Sequence, residues 1–125
     1  MLINLSNHPS ALWPEKQMRA ARQLFGSVTD LPFPQIDPNM PREQMENLVM
    51  EYAGRCFDML KEAGEGPHAV HLMGEMVFTT ALVSYLLKRN VRCLASTTRR
   101  IAQSQGNMQT SSFVFESFRD YFILS

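Results

Sequence analysis

The sequence predicts a three-layer α/β domain: a mostly parallel five-stranded sheet, helices on both faces, and a last strand that runs antiparallel. Three observations predict it. Short apolar runs alternate with longer stretches of helical periodicity in the order β-α-β-α-β-α-β-β. The first apolar run, Leu2 to Leu5, breaks abruptly into Ser6-Asn7-His8-Pro9, as a buried strand ending in a loop does. The last two runs have no helix between them and flank Gly106-Asn107, a turn signal that pairs neighbouring strands antiparallel. With 125 residues the chain forms one domain, residues 1–125, and buries roughly two-thirds of its unfolded surface without a metal or disulfide staple.

Each element has its own signal. After the first strand, Pro14 suits a first helical position, Met18, Ala21, Leu24 and Phe25 recur at helical spacing, and Gly26 stops the helix. Val28 to Phe33 reads as a second strand whose Pro32 end lies at an edge or has left the sheet. Pro32, Pro34, Pro38 and Pro41 stiffen the connection that follows. Met45, Leu48, Val49, Tyr52, Ala53, Cys56, Phe57 and Leu60 mark the second helix, which Gly64-Glu65-Gly66-Pro67 ends. Ala69 to Met73 is a third strand and Met76 to Lys88 a third helix, apolar nearly all round, with Asn90 as its cap. Val91 to Ala95 is the fourth strand, Ser96 to Arg100 a loop, and Ser112 to Phe118 the fifth strand. Tyr121 to Leu124 is an apolar tail suited to packing at an edge or against a partner. The expected strand order is 2-1-3-4-5, with right-handed crossovers.

Composition narrows the function. Lys plus Arg and Asp plus Glu number 12 each, so the basic excess typical of proteins that grip long nucleic acid is missing. No apolar run approaches the ~18 residues of a membrane span. Leu2 to Leu5 is too short for a signal-peptide core, which makes the cytoplasm the expected location. Cys56 and Cys93 fall in apolar stretches and read as reduced core thiols. His68 and His71 have no acidic partner in view, so neither a metal nor another cofactor is expected. Gly-x-Gly-x-x-Gly, Walker-type and Gly-x-Ser-x-Gly motifs are all absent.

In an open α/β sheet, ligands bind beyond the carboxyl ends of the strands where the crossover direction reverses. With order 2-1-3-4-5 that point lies between strands one and three, beside Ser6, Asn7, His8, Gly74 and Glu75. Ser6 and Asn7 can also simply satisfy loop backbone, and Gly74 can serve only a tight turn. Glu75 opens a helix, where its carboxylate suits the dipole and competes with an anion; a ribose hydroxyl is its better partner. Thr97, Thr98, Arg99 and Arg100 carry the hydroxyls and guanidinium groups that bind phosphate. Thr79 and Thr80 stand in the first turn of the third helix, near the same crevice.

The opening Leu-Ile-Asn-Leu-Ser-Asn-His-Pro is close to an Asn-Phe-Ser-His-Pro type, with Asn7 inserted. Together with Met-Gly-Glu-Met at 73–76 and Ser-Thr-Thr-Arg at 96–99, it resembles the small stand-alone CRISPR-associated proteins of the CARF type, which are Rossmann-like. The resemblance implies a homodimer that binds a cyclic oligoadenylate second messenger. Some such proteins cleave the ring slowly without metal, as ring nucleases. On that resemblance His8 and Arg99 are the candidate catalytic residues. Ser6, Asn7, Gly74, Glu75, Thr97, Thr98 and Arg100 are the candidate ligand contacts. Two other functions suit the residues. One is a non-enzymatic homo-oligomeric interaction module built on Met73, Met76, Phe113, Phe115 and the tail. The other is a small-metabolite enzyme with His8 and Glu75 as acid and base.

Overall fold

The computed structural model describes residues Met1–Ser125 and has the expected architecture. Strand β1 (Leu2–Ser6) leads through a single 3-10 turn (Ser10–Leu12) into helix α1 (Glu15–Phe25). There follow β2 (Val28–Asp30), α2 (Arg42–Ala63), β3 (Ala69–Met73), α3 (Met76–Leu87), β4 (Cys93–Gln105) and β5 (Met108–Asp120). The five strands form one sheet in the order β2-β1-β3-β4-β5. Every neighbouring pair is parallel except β4 and β5.

Strand alternation sends successive side chains to opposite faces, and the two faces differ. One carries Ile3, Leu5, Val70, Leu72 and Cys93, and packs against α2 and α3 through Val49, Ala53, Cys56, Phe78, Leu82 and Leu86. The other carries Leu2, Ala69 and Leu94 against Trp13, Ala21 and Phe25 of the α1 segment. The crossover therefore changes face between β1 and β3, which makes that point the topological switch. Phe78, fully buried, sits at the heart of the larger layer. Its ring meets Phe33 and Tyr52 edge-on at centroid distances of 5.3 and 5.6 Å, a geometry that adds to simple area burial.

Helix ends follow the sequence signals. Gly26 takes φ +83°, and its N–H bonds Arg22 O at 2.8 Å. Asn90 lies in the left-handed region at φ +63°. Asn90 N–H bonds Leu87 O at 3.1 Å and Val91 N–H bonds Leu86 O at 3.0 Å, the paired closure of a Schellman motif.

Three expectations change. β2 ends at Asp30 rather than Phe33: Leu31 N–H still bonds Asn4 O at 2.9 Å, but Pro32 has no N–H to continue. Ser96 to Arg100 is not a loop but the middle of β4, because β5 supplies a ladder partner for every one of those residues. β5 in turn begins at Met108, directly after the Gly106-Asn107 turn. β3 pairs with β4 only at Val70–Cys93 and His71–Leu94, so the rest of the hairpin rises past the sheet as a two-stranded ribbon. A bulge interrupts its register between Thr97 and Thr98. The Thr97 hydroxyl lies 3.1 Å from Ser117 N and 2.8 Å from Ser117 Oγ, and so fills the disturbed step.

Of the side chains expected to form an interface, Phe115 is buried against Phe118 and Met73 is half-buried. Met76, Phe113, Phe122, Ile123 and Leu124 are exposed. Tyr121 is tied back, its hydroxyl donating to Leu72 O at 2.7 Å. Phe78→Ala removes the central ring of the larger layer and is expected to cost about 3–5 kcal/mol, read as a lower urea midpoint at unchanged slope.

Candidate functional site

The face under α1 is apolar at the bottom of the sheet and polar at the top. Residues two positions beyond Leu2, Ala69 and Leu94 are Asn4, His71 and Ser96, and β2 adds Asp30. Asn4 stands in register with both Asp30 and His71, so these side chains form a row across three strands. Buried polar groups need partners, and here each finds one in the next.

Asn4 uses all four hydrogen-bonding positions of its amide. Nδ2 donates to Asp30 Oδ1 and to the His8 carbonyl, both at 2.9 Å. Oδ1 accepts from Ser6 Oγ at 2.8 Å and from His71 Nδ1 at 2.9 Å. A carboxylate and a carbonyl can face only the NH2 end, which fixes the amide's orientation. His71 Nδ1 must then carry the proton, and Nε2 accepts from Ser96 Oγ at 2.7 Å. Ser96 Oγ accepts from Gln17 Nε2 at 3.0 Å. The polarity therefore runs one way, from Gln17 through Ser96, His71 and Asn4 to Asp30. The His71 ring is walled by Trp13 and Phe118, at centroid distances of 5.2 and 5.7 Å.

Serine, histidine and an orienting amide stand here in the sequence used for nucleophile activation. The electrostatics argue for a different use. Burial, helped by the nearby His8, pushes the His71 imidazole down to about 4. No carboxylate touches it to hold an imidazolium. The His71 ring is neutral at pH 7, and what the row holds in place is the loop above β1.

The His8 carbonyl is the anchor of that loop. It accepts from Asn4 Nδ2 and from Trp13 Nε1 at 3.1 Å, while Asp30 takes Ser10 Oγ at 2.9 Å. Asn7 N–H bonds Met73 O at 3.1 Å. With the backbone pinned, the Asn7 and His8 side chains point outward, exposed and with no hydrogen-bond partner in the chain. They stand at the switch point. Beside them opens a cavity of about 340 Å3 lined by Asn4, Ser6, Asn7, Asp30, Pro32 and Phe33, among others.

The remaining candidates are more dispersed. Ser6 is buried and belongs to the network. Gly74 is covered by Phe33, into whose ring a Cβ would run; this close approach explains the glycine. Glu75 caps α3, accepting from Phe78 N at 2.9 Å, so the N-terminus of that helix already holds an anion. Thr79 is buried with its hydroxyl unpaired, and Thr80 is exposed. Thr97 is committed to Ser117 across the ribbon. Arg99 faces Glu116 at 3.4 Å, with Lys16 of α1 on the same carboxylate at 3.8 Å. Thr98 and Arg100 are exposed. At about 3.3 Å per residue, Thr98 to Arg100 stand roughly 7–13 Å beyond Ser96, above the crest. Asn4, Gln17 and Asp30 were absent from the sequence candidates, Ser96 entered them only as the start of an anion-binding loop, and His71 was weighed only as a metal ligand. For Asn4 and His71 the only signal was a polar residue within an otherwise apolar run.

Two outcomes follow. The His71 folded pKa lies below its unfolded value, so stability is complete above about pH 6.5. It falls as pH drops towards 4, because only the unfolded chain takes the proton there. Denaturation midpoints across that window and an NMR titration of the ring, with its midpoint near 4, check this. Asn4→Ala strands the His71 donor, while Ser6 Oγ can still donate to the His8 carbonyl at 3.1 Å, and is expected to cost about 1–3 kcal/mol, measured by urea unfolding.

No helix is long and apolar enough to cross a membrane. No group of three or more His, Cys, Asp or Glu side chains is placed to hold a metal ion. No curated protein and no solved structure matches the chain significantly. The model of the Uncharacterized protein MJ1673 family matches residues 1–119, from β1 to within one residue of the end of β5, and the chain belongs to that family.

Proposed function

We propose that this chain binds a cyclic oligoadenylate at the crest of its sheet. The observation that carries this reading is the pair of outward, uncommitted side chains, Asn7 and His8, held rigidly above β1, with Asn7 lining the cavity between the ends of β1 and β2. An asparagine amide can pair with the N6/N7 edge of adenine, and the Phe33 ring in the same cavity offers a stacking surface. In this reading Thr98, Arg99 and Arg100, two to four residues beyond Ser96 on β4, are the groups that take the phosphates of the ring. Arg99 reaches phosphate by exchanging its exposed Glu116 contact, a surface pair worth little.

Slow cleavage without metal needs only positioning and charge. The ribose 2′-oxygen attacks the adjacent phosphorus, His8 takes its proton, and the 5′-oxygen leaves with a proton from water. A 2′,3′-cyclic phosphate results, and Arg99 offsets the charge that develops on the phosphate. Glu75, bound to Phe78 N, meets a ribose hydroxyl only at its free oxygen.

Thermal shift with cyclic tri-, tetra- and hexa-adenylate, against AMP and ATP, tests the binding. A ligand that binds only the folded chain raises the melting temperature. One ring size is expected to do so, and Asn7→Ala and Arg99→Ala are each expected to lose most of the shift while leaving the unliganded melting temperature unchanged. No shift with any ring on the folded protein removes this reading.

A further inference from the structure

From Thr98 to Val114 every residue is exposed, although all of them except those of the turn lie in β4 or β5. A two-stranded ribbon standing alone is marginal in water. Its outer strand, β5, is also the edge of the sheet. Natural edges are blunted by charges, prolines or covering loops. Here the stretch between Arg100 and Glu116 contains no Asp, Glu, Lys, Arg or Pro. Its two apolar side chains on β5 near the middle, Phe113 and Val114, are 68% and 41% exposed, on opposite faces.

We propose that the outer edge of β5, from Met108 to Phe115, pairs antiparallel with the same segment of a second copy of this chain. Self-pairing suits the segment for a physical reason. In a two-fold edge contact each strand meets its own sequence reversed, so charges of one sign on the strand face charges of the same sign, and like charges directly opposite are destabilising. An uncharged strand is the kind that escapes this. A foreign partner chosen by charge would find nothing to recognise in it. The whole chain has zero net charge, so two copies approach without long-range repulsion. The Gln, Ser and Thr side chains around the apolar pair keep the edge soluble until it meets its own kind. The inference stands on the ribbon alone, and its test uses no nucleotide.

The measurement is the solution mass of the full chain by light scattering after size exclusion. The parent is expected at twice the 14.3 kDa chain mass. Thr110→Lys with Ser112→Lys places like charges across the paired edges and is expected to give single chains. Thr110→Glu with Ser112→Glu is expected to do the same. An equimolar mixture of the two variants is expected to recover the doubled mass, because opposite charges then face each other. This mixing arm reads pairing whatever the stability of either variant alone. A parent that stays at single-chain mass, a lysine variant that stays doubled, or a mixture that does not re-pair would each overturn the proposal.

Discussion

One side-chain amide holds the upper half of this molecule together. Asn4 sits in the second inward position of β1, between β2 and β3, and its oxygen and nitrogen reach opposite ways along the sheet. On one side it orients Asp30 and the His8 carbonyl; on the other it sets the tautomer of His71. Because the amide is planar and fully used, none of these partners can turn without breaking a buried hydrogen bond. Fully satisfied buried networks rigidify their surroundings, and the Ser6-to-Pro9 loop inherits that rigidity through its backbone. A loop held by its main chain is free to offer its side chains outward.

The two faces of the sheet divide the work. Beneath α2 and α3 the strands are apolar, with Ile3, Leu5, Val70 and Leu72 making a dry layer around Phe78. Beneath α1 the lower half is dry and the upper half is wired. The same division explains why the amino end of α3, a natural place for an anion, is a poor site here. Glu75 has filled it with its own carboxylate and Phe33 closes over Gly74. Recognition is displaced towards the other side of β1, where Asn7 and the β1–β2 cavity lie.

Much of the fold was legible because its signals are local or periodic. Gly26, the 64–67 stretch and Asn90 stop helices by backbone geometry, and the α2 stripe needs no tertiary context. The strand order followed from the alternation of strands and helices. Ser96 to Arg100 was misread for the opposite reason. Serines, threonines and arginines are neutral between loop and strand, and the ladder that decides the matter comes from residues 13 to 22 positions downstream. The polar row was harder still. Asn4 and His71 are single polar residues within apolar runs, and only the register of three strands and the placing of α1 over them shows that they touch. Ser6, Asn7 and His8 were visible as a loop, but not that His8 contributes its carbonyl to the fold while its ring faces solvent.

The ribbon has a consequence for how this chain can vary. From Arg100 to Val114 it is exposed throughout and adds nothing to the core or the polar row, so its length is decoupled from stability. Side chains alternate with a period of two. Lengthening both arms by two residues would carry the turn farther out and leave every inward and outward assignment as it was. Lengthening by one would invert the tip. The hairpin is thus a part whose reach evolution can adjust in quantised steps while the domain beneath it stays unchanged.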